Sequence, residues 1–315
     1  MGRPTAVSLF TGCGGSDSGL VALGVDVLMA NDVIRYASEV YHANLPETEY
    51  VLGDVQKIES FPHADLLVGC YPCQGYSQGG ARKANRQINF LFQEFGRALR
   101  QIRPRAFIVE NVSGLLRADN QKLFSKQLRN FRSAGYSVKS AVLNAADFGI
   151  PQNRKRIFIV GTRSDIHFRY EFPYPTHSRD GLSGKPYLTV KQALDGMPTW
   201  PEGEFNDEPF HWYYLSRDRR CGWDEVAKTI VSRARHVPLH PCSPRLQKIG
   251  PDKYKFESDQ PARRFSYREC AVLQGFDQAM KFPETCGKHS RYRVVGNSVP
   301  PALFSAVALP LLKAL

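Results

Sequence analysis

The chain has 315 residues, 42% of them hydrophobic and 23% charged, so it is long and apolar enough to bury a substantial core. Lys and Arg outnumber Asp and Glu by 42 to 30, and the formal charge of +12 favours a polyanionic partner, most simply nucleic acid. No apolar run approaches the roughly 18 residues of a membrane span, and the first residues lack a signal-peptide core. Seven scattered cysteines predict reduced thiols rather than a disulfide framework. We therefore expect a soluble cytoplasmic protein without membrane association.

The first half of the chain alternates short β-branched runs with amphipathic stretches, which is typical of a parallel or mixed sheet flanked by helices. The predicted strands are Ala6–Phe10, Val25–Ala30, Asp65–Gly69, Ala106–Glu110, Val138–Leu143 and Ile157–Gly161. The predicted helices are Ser18–Leu23, Arg35–Ala43, Phe90–Ile102 and Gln121–Ala134, with a closing helix over Pro301–Leu315. The fold class is therefore α/β, with a Rossmann-like mixed sheet.

Beyond Arg163 the periodicity fades and Pro and Gly become frequent, which indicates a second, smaller and loop-rich domain. An acidic stretch, Asp195–His211, is followed by the strongly basic segment Arg217–Lys255. The predicted divisions of the chain are a first domain over 1–172, a second over 173–285 and a terminal segment over 286–315.

The first strand runs into a glycine-rich turn from Thr11 to Gly15 and then a helix, which lets a ligand approach the backbone at a helix N-terminus. NAD is disfavoured, because its pattern would need glycine where this chain has Asp17. Asp32 stands where such folds place an acid on a ribose diol, and Asp54 could accept from an adenine amino group. The pattern suggests a nucleoside ligand without phosphates, such as S-adenosylmethionine. A tight turn with two solvated acids is the alternative.

Cys70 and Cys73 lie in a Gly- and Ser-rich loop that leaves an apolar strand. A cysteine at such a strand end, followed by backbone donors, can have its pKa lowered and act as a nucleophile. From these residues alone, a thioredoxin-like redox pair, half of a zinc site and two packing cysteines stay open as alternatives. The redox pair lacks its expected helix, and no second close cysteine pair completes a zinc site.

Six short motifs, in order, resemble those of the DNA (cytosine-5) methyltransferases, which use S-adenosylmethionine. The motifs are Phe10-Thr-Gly-Cys-Gly-Gly, Pro72-Cys73-Gln74, Glu110-Asn111-Val112, Gln152-Asn-Arg154-Lys-Arg156, Arg268-Glu269 with Leu273-Gln274-Gly275-Phe276, and Gly296-Asn297-Ser298-Val299-Pro300. The resemblance runs from residue 6 to the end, except for about 100 residues after Arg163, where the family carries a variable target-recognition domain. It implies a catalytic, S-adenosylmethionine-binding domain over 1–172, a target-recognition domain over 173–285 and a return to the catalytic domain over 286–315.

The resemblance also implies roles for individual residues. Cys73 matches the nucleophile that adds to carbon 6 of cytosine, Glu110 matches the carboxyl group that serves ring nitrogen N3, and Arg154 belongs to a basic pair near the base and its phosphate. The cofactor contacts it predicts are Phe10, Gly12, Gly14, Gly15, Asp32, Val33, Asp54, Val55, Pro72, Leu91, Asn297 and Ser298. The predicted DNA contacts are Gln74, Ser77, Arg156, Thr229, Ile230, Arg233 and Arg235, and no metal is expected.

Two departures from the family pattern concern the cofactor pocket. Val33 stands where the family often has an aromatic residue, and Cys70-Tyr71-Pro72 replaces the common Gly-Pro-Pro before the nucleophile. The chemistry adds a geometric requirement, because a thiol cannot reach carbon 6 inside a stacked duplex, so the target base must flip out. The segment from Gln74 to Arg86 resembles the mobile catalytic loop of the family.

The sequence therefore predicts a methyltransferase that acts on carbon 5 of a flipped cytosine in a specific sequence of double-stranded DNA. We expect a monomer in a bacterial or phage-like cytoplasm, associated with the nucleoid through DNA and belonging to restriction-modification. A transfer-RNA cytosine-5 methyltransferase is the alternative within the same chemistry, although the Cys-Phe-Thr insert common in that branch is absent. A thiol oxidoreductase would need Cys70 for activity, and a non-catalytic DNA-binding protein would tolerate loss of Cys73.

Overall fold

The computed structural model describes residues 2–72 and 91–315, and the chain divides into two compact units. The first unit comprises Met1–Asn144, Lys155–Tyr174 and Pro301–Leu315, and the second comprises Ala145–Arg154 and Pro175–Pro300. The sequence predicts divisions after residues 172 and 285, and the structure divides the chain after residues 174 and 300. The short segment Ala145–Arg154 also belongs to the second unit, which no composition shift in the sequence had indicated.

Within the described residues, seven strands of the first unit form one mixed sheet. They are β1 Thr5–Leu9, β2 Asp26–Asp32, β3 Glu49–Leu52, β4 Leu66–Gly69, β5 Ala106–Val112, β6 Tyr136–Asn144 and β7 Lys155–Arg163. Their order in the sheet is β3-β2-β1-β4-β5-β7-β6. The first five strands in this order run parallel to one another, and β7 runs antiparallel to both β5 and β6. The predicted fold class is confirmed. Each of the six predicted strands begins and ends within two residues of the corresponding observed strand.

The described residues form helices in both units. The helices are α1 Gly15–Val21, α2 Arg35–Asn44, α3 Phe92–Ile102, α4 Gln121–Ser133, α5 Val190–Ala193, α6 Tyr267–Leu273, α7 Lys288–Asn297 and α8 Pro301–Ala308, of which α5, α6 and α7 belong to the second unit. In α3, Phe92, Phe95, Leu99 and Ile102 form one buried face. The α4 helix ends before Gly135, whose φ of 93° is the left-handed conformation that favours glycine there.

The C-terminal residues of the first unit pack against the glycine-turn helix. Gly19 in α1 lies so close to α8 that a Cβ atom there would come within 2.6 Å of the Pro301 carbonyl oxygen. The stretch Lys288–Lys313 is long and apolar enough to cross a membrane by length and composition, and 61% of its most apolar window is buried. Residues 298–300 interrupt it between α7 and α8, and the buried core helices of water-soluble proteins meet the same criteria.

The second unit consists mainly of loops joined by short elements. Besides α5, α6 and α7, it contains the strand pairs β8 His177–Ser178 with β9 Lys185–Pro186, and β10 Leu246–Gly250 with β11 Lys253–Phe256. Glu269 organises its core, because it closes a capping box with Ser266 at the start of α6 and accepts two hydrogen bonds of 2.7 Å from Arg263. Both Arg263 and Glu269 are 1% exposed, so the ion pair is buried and bidentate, and removal of either partner alone would leave an unpaired buried charge in this unit.

Candidate active site

Three predicted motifs come together at one edge of the sheet. Leu9 in β1 pairs with Gly69 in β4, which pairs with Val109 in β5, so the three parallel strands end side by side. The glycine turn, Pro72 and Glu110 therefore lie at the carboxyl edge, where the strand order reverses and open α/β sheets bind ligands. Cys73, Gln74 and Ser77 lie outside the described residues, which resume at Leu91.

The turn after β1 has an unusual backbone conformation. Phe10, Gly12 and Gly14 have φ angles of 60°, 59° and 84°, and for Phe10 the left-handed conformation costs about 1–3 kcal/mol. Gly14 is needed for a second reason, because a Cβ atom there would lie 2.8 Å from the Tyr41 ring. Gly15 begins α1, so the turn leads directly to a helix N-terminus.

A buried carboxylate holds this turn in place. Asp17 is 0% exposed and accepts hydrogen bonds from the hydroxyl groups of Ser8 (2.6 Å), Thr11 (2.6 Å), Ser16 (2.8 Å) and Tyr41 (2.9 Å). Burial raises the pKa of Asp17, and the four hydroxyl donors act in the opposite direction. Sequence reasoning used Asp17 only to exclude NAD and missed this anchoring role, although the hydroxyl residues at 8, 11 and 16 are visible in the sequence.

Asp32 ends β2 beside the glycine turn. Its Oδ2 accepts the Gly12 N–H at 2.9 Å and its Oδ1 accepts the Ile34 N–H at 3.0 Å, which fixes the orientation of the carboxylate. Burial raises the pKa of Asp32, while the backbone hydrogen bonds lower it. Each carboxylate oxygen can accept a further hydrogen bond, so the predicted ribose contact is compatible with this geometry. Asp54 is exposed, and its Oδ1 caps a short 3₁₀ helix through the Gln56 N–H at 3.0 Å.

The carboxyl ends of β2 and β3 expose apolar side chains beside these acids. Val33 is 63% exposed and Leu52 is 47% exposed. Val55 is buried in the adjoining core, against which Phe10 and Leu91 are packed. A Cβ atom at Gly12 would meet no heavy atom of residues 2–72 and 91–315 within 4 Å, so the described part of the chain leaves space beside the turn. Fixed acids, exposed apolar surface and open space together fit a nucleoside-type cofactor such as S-adenosylmethionine.

Glu110 and Arg156 form an ion pair at the same edge. The β7 strand runs antiparallel, so its amino end, with Arg156, meets the carboxyl end of β5, with Glu110. The Arg156 Nε lies 3.0 Å from the Glu110 Oε1, and the two side chains are 14% and 10% exposed. Burial lowers the pKa of Arg156, and the Glu110 charge opposes that effect. Arg156, predicted as a DNA contact, thus also holds the predicted catalytic carboxyl group.

The Cys70 thiol lies in a different environment from that of an activated nucleophile. It is half-buried with its Sγ 3.9 Å from the Ser16 hydroxyl. Burial and the nearby Glu110 and Asp17 carboxylates raise the pKa of Cys70 well above its ordinary value. This environment favours a packing role for Cys70 over the redox alternative.

Arg154 occupies a place that the sequence analysis did not expect. It is 2% exposed, and its guanidinium group donates to the carbonyl oxygens of Ile230 (3.1 Å), Gly296 (3.0 Å) and Ser298 (2.9 Å). The family pattern had suggested a cation near the base and its phosphate, whereas the structure gives Arg154 three backbone partners inside the second unit. We therefore treat Arg154 as a positioning residue.

The Thr229-Ile230 pair is held by the same network. The Ile230 N–H donates to Gln152 Oε1 at 2.9 Å, and the Thr229 hydroxyl donates to the Asn153 carbonyl at 2.6 Å. Ile230 is 1% exposed, so its side chain forms part of the core rather than the predicted DNA contact surface. Thr229 is exposed, as are Arg233 and Arg235.

The last motif also belongs to the second unit. Asn297 is exposed at the end of α7, and Ser298 after it is buried. Gly296 allows a close approach, because a Cβ atom there would lie 2.5 Å from the Ser232 nitrogen. Asn297 and Ser298 belong to the second unit, whereas the other predicted cofactor contacts belong to the first unit. Contact of Asn297 and Ser298 with the cofactor therefore stays a prediction.

A family model described as C-5 cytosine-specific DNA methylase matches residues 5–313. The chain belongs to this family. Its activity is that of a DNA (cytosine-5-)-methyltransferase. It is 33% identical to the type II methyltransferase M.BsuRI of Bacillus subtilis over 97% of this chain and 78% of that protein. It is also 33% identical to the type II methyltransferase M.MthTI of Methanothermobacter thermautotrophicus, over 96% of this chain and 94% of that protein.

Solved structures agree on the fold. The chain is similar to DNMT2 of Spodoptera frugiperda with a TM-score of 0.76, at 17% identity, over 98% of this chain and 99% of that one. Identity at that level supports the architecture alone, which is the mixed sheet flanked by helices described above.

Proposed function

We propose that this methyltransferase transfers a methyl group from S-adenosylmethionine to carbon 5 of a flipped cytosine in a specific sequence of double-stranded DNA. The observation that carries the proposal is the shared sheet edge. There, the glycine turn follows β1, Pro72 and then Cys73 follow β4, and Glu110 lies near the carboxyl end of β5, and these three strands are adjacent. In the proposed mechanism the glycine turn contributes to the cofactor site, Cys73 is the nucleophile and Glu110 is the proton-transfer group.

The cofactor would be held by residues of the first unit. Asp32 would accept hydrogen bonds from the ribose hydroxyl groups. The Gly12–Gly15 turn would face the amino-acid portion of the cofactor, and Val33 with Val55 would pack on the adenine ring. When bound, S-adenosylmethionine supplies an electrophilic methyl group on its sulfonium sulfur. The exposed Asp54 carboxylate would accept from the adenine amino group.

The side chains at this edge would perform the remaining chemistry. The Cys73 thiolate forms a bond to carbon 6 of cytosine, and Glu110 gives or shares a proton at N3, which moves electron density onto carbon 5. After carbon 5 has taken the methyl group, it gives its proton to solvent, the bond between Cys73 and carbon 6 breaks, and Cys73 leaves as the thiolate. N3 returns its proton to Glu110. Arg156 orients Glu110 throughout through the 3.0 Å ion pair.

The formal charge of +12 and the basic second unit suit a duplex substrate. The type II names of the relatives support a place in restriction-modification for this chain as well. We further propose that the enzyme works as a monomer in the cytoplasm, bound to the nucleoid through its DNA substrate.

Two cysteine variants test the proposal. Cys73→Ser should abolish methylation in bisulfite sequencing of DNA from expressing cells, while Cys70→Ala should stay within about tenfold of the unmodified enzyme, or about 1.4 kcal/mol of barrier. Duplex DNA with 5-fluorocytosine should form a covalent adduct with the unmodified enzyme and with Cys70→Ala, because fluorine blocks the elimination step. The adduct should map to Cys73. If Cys70→Ala is as inactive as Cys73→Ser, the single-nucleophile mechanism is wrong.

A further inference from the structure

Tyr71 has no role in the mechanism above, although it lies two positions before Cys73 in the chain. It belongs to the segment Cys70-Tyr71-Pro72, where the family pattern has a proline in its place. A proline ring fixes the φ angle of its own residue, and a tyrosine does not. Pro72 keeps one such restriction, and the contacts of Tyr71 supply a different one.

The side chain of Tyr71 is fixed in the core of the first unit. It is 4% exposed, and its hydroxyl group donates a hydrogen bond of 2.8 Å to Gln127 Oε1 in α4. Gln127 is 1% exposed, so this hydrogen bond is shielded from water and the loss of one partner is costly. The Tyr71 ring lies edge-on to Phe10, with 6.0 Å between the ring centroids, and tilted against Phe95 at 6.1 Å. The hydrogen bond and the ring contacts therefore hold the side chain in one place.

The backbone of Tyr71 is tied to β5. The Asn111 Nδ2 donates a hydrogen bond of 3.2 Å to the Tyr71 carbonyl oxygen, and Asn111 is 3% exposed. Its Oδ1 accepts the next backbone N–H at 2.7 Å, which fixes the orientation of the amide group. Asn111 directly follows Glu110, so Tyr71 is anchored to the strand that carries the proposed proton-transfer group.

We propose that Tyr71 is a positioning residue for the Cys73 nucleophile, an inference that rests on the proposed function. Gln127 anchors its side chain and Asn111 anchors its carbonyl group. Because the peptide bond is planar and the Pro72 ring fixes φ, one free backbone rotation separates the anchored carbonyl group from the Cys73 nitrogen. The anchor therefore restricts where the thiol can lie, and attack on carbon 6 depends on that position.

Tyr71→Phe tests the anchor, because it removes the hydroxyl group and keeps the ring that contacts Phe10. We expect kcat, and the rate of adduct formation with 5-fluorocytosine duplex DNA, to fall about 10–100-fold, since a misplacement of about 1 Å can cost about 10²-fold. The KM for S-adenosylmethionine should stay within about threefold, because the ring contact with Phe10 is retained. Gln127→Met removes the acceptor instead of the donor and should change kcat and KM in the same way.

Tyr136→Phe is the matched control. Tyr136 is 3% exposed, and its hydroxyl group also donates a hydrogen bond of 2.8 Å, to the Pro104 carbonyl oxygen. This bond lies at the amino end of β5, opposite to Glu110, because Pro104 precedes that strand. Tyr136→Phe should therefore lower the melting temperature about as much as Tyr71→Phe while kcat, corrected for the folded fraction, stays unchanged.

The outcomes separate a positioning role from a merely structural one. If folded Tyr71→Phe has the kcat of the unmodified enzyme, or if Tyr136→Phe loses as much kcat as Tyr71→Phe, the inference is wrong and the proposed function stands. If Tyr71→Phe does not fold, the double variant with Gln127→Met decides the question, because it removes both partners of the hydrogen bond and should recover stability. The double variant should keep the loss of kcat, and full activity would overturn the inference. If the unmodified enzyme produces no 5-methylcytosine, the proposed function is wrong and this inference falls with it.

Discussion

Glu110→Gln isolates the proton-transfer role at the centre of the mechanism. The amide has the shape of the carboxyl group and keeps an oxygen that can accept from the Arg156 Nε, now 3.0 Å from Glu110 Oε1. The amide cannot give a proton to N3. A positioned general acid contributes about 10²–10⁴-fold to rate, which corresponds to about 2.7–5.4 kcal/mol of barrier. We therefore expect kcat at saturating DNA and cofactor to fall by that factor.

The same substitution has a structural cost that must be separated from catalysis. Arg156 is 14% exposed at its side chain, and it would lose its counter-charge while keeping a neutral acceptor. That loss should cost about 1–3 kcal/mol of unfolding free energy, less than the roughly 3–5 kcal/mol expected when a buried ion pair loses one partner completely. Thermal melting measures this cost, and the folded fraction at assay temperature corrects the rate.

Glu110→Asp is the matched control, because it keeps the acid but withdraws it by one methylene group. Single-turnover transfer of a radiolabelled methyl group to duplex DNA should rank the enzymes as unmodified, then Glu110→Asp, then Glu110→Gln. If folded Glu110→Gln transfers methyl groups within tenfold of the unmodified rate, the assignment of Glu110 is refuted.

Two further predictions follow from the turn and from α7. Asp32→Ala removes a hydrogen-bond acceptor whose orientation is fixed by the Gly12 and Ile34 N–H groups. Isothermal calorimetry should therefore show S-adenosylmethionine binding weakened about 10–100-fold, with a smaller effect on kcat. A large loss of kcat at unchanged KM would count against a ribose contact. Gly296→Ala forces a Cβ atom against Ser232 and should cost about 1–3 kcal/mol in urea unfolding. Gly53→Ala, which meets no heavy atom of the described residues within 4 Å, should cost much less, and equal effects would contradict the close approach at Gly296.

The sequence predicts the sheet well because its central strands are continuous apolar runs. Leu66, Leu67 and Val68 in β4 are 0% exposed, as parallel strands covered on both faces should be. The β3 strand was not predicted, since Glu49–Leu52 is only four residues long and partly exposed at the sheet edge. Its weak signal could not be distinguished from a loop without knowledge of its partner β2.

The site was less predictable because residue type does not determine which side chain turns inward. Arg154 and Arg156 are two positions apart in the same motif, yet one is bonded to three carbonyl groups and the other to a carboxylate. That difference depends on Ile230, Gly296 and Glu110, which are distant in sequence.

The network around Arg154 also suggests where sequence specificity can change. One guanidinium group holds the backbone at Ile230, next to the exposed Thr229, and at Ser298, next to the exposed Asn297. Because the acceptors at Ile230, Gly296 and Ser298 are main-chain carbonyls, these three hydrogen bonds do not depend on the side chains that follow Ile230. Exposed positions such as Arg233 and Arg235 can therefore vary while the motif geometry is preserved, whereas Arg154 cannot change without disturbing both predicted contact groups.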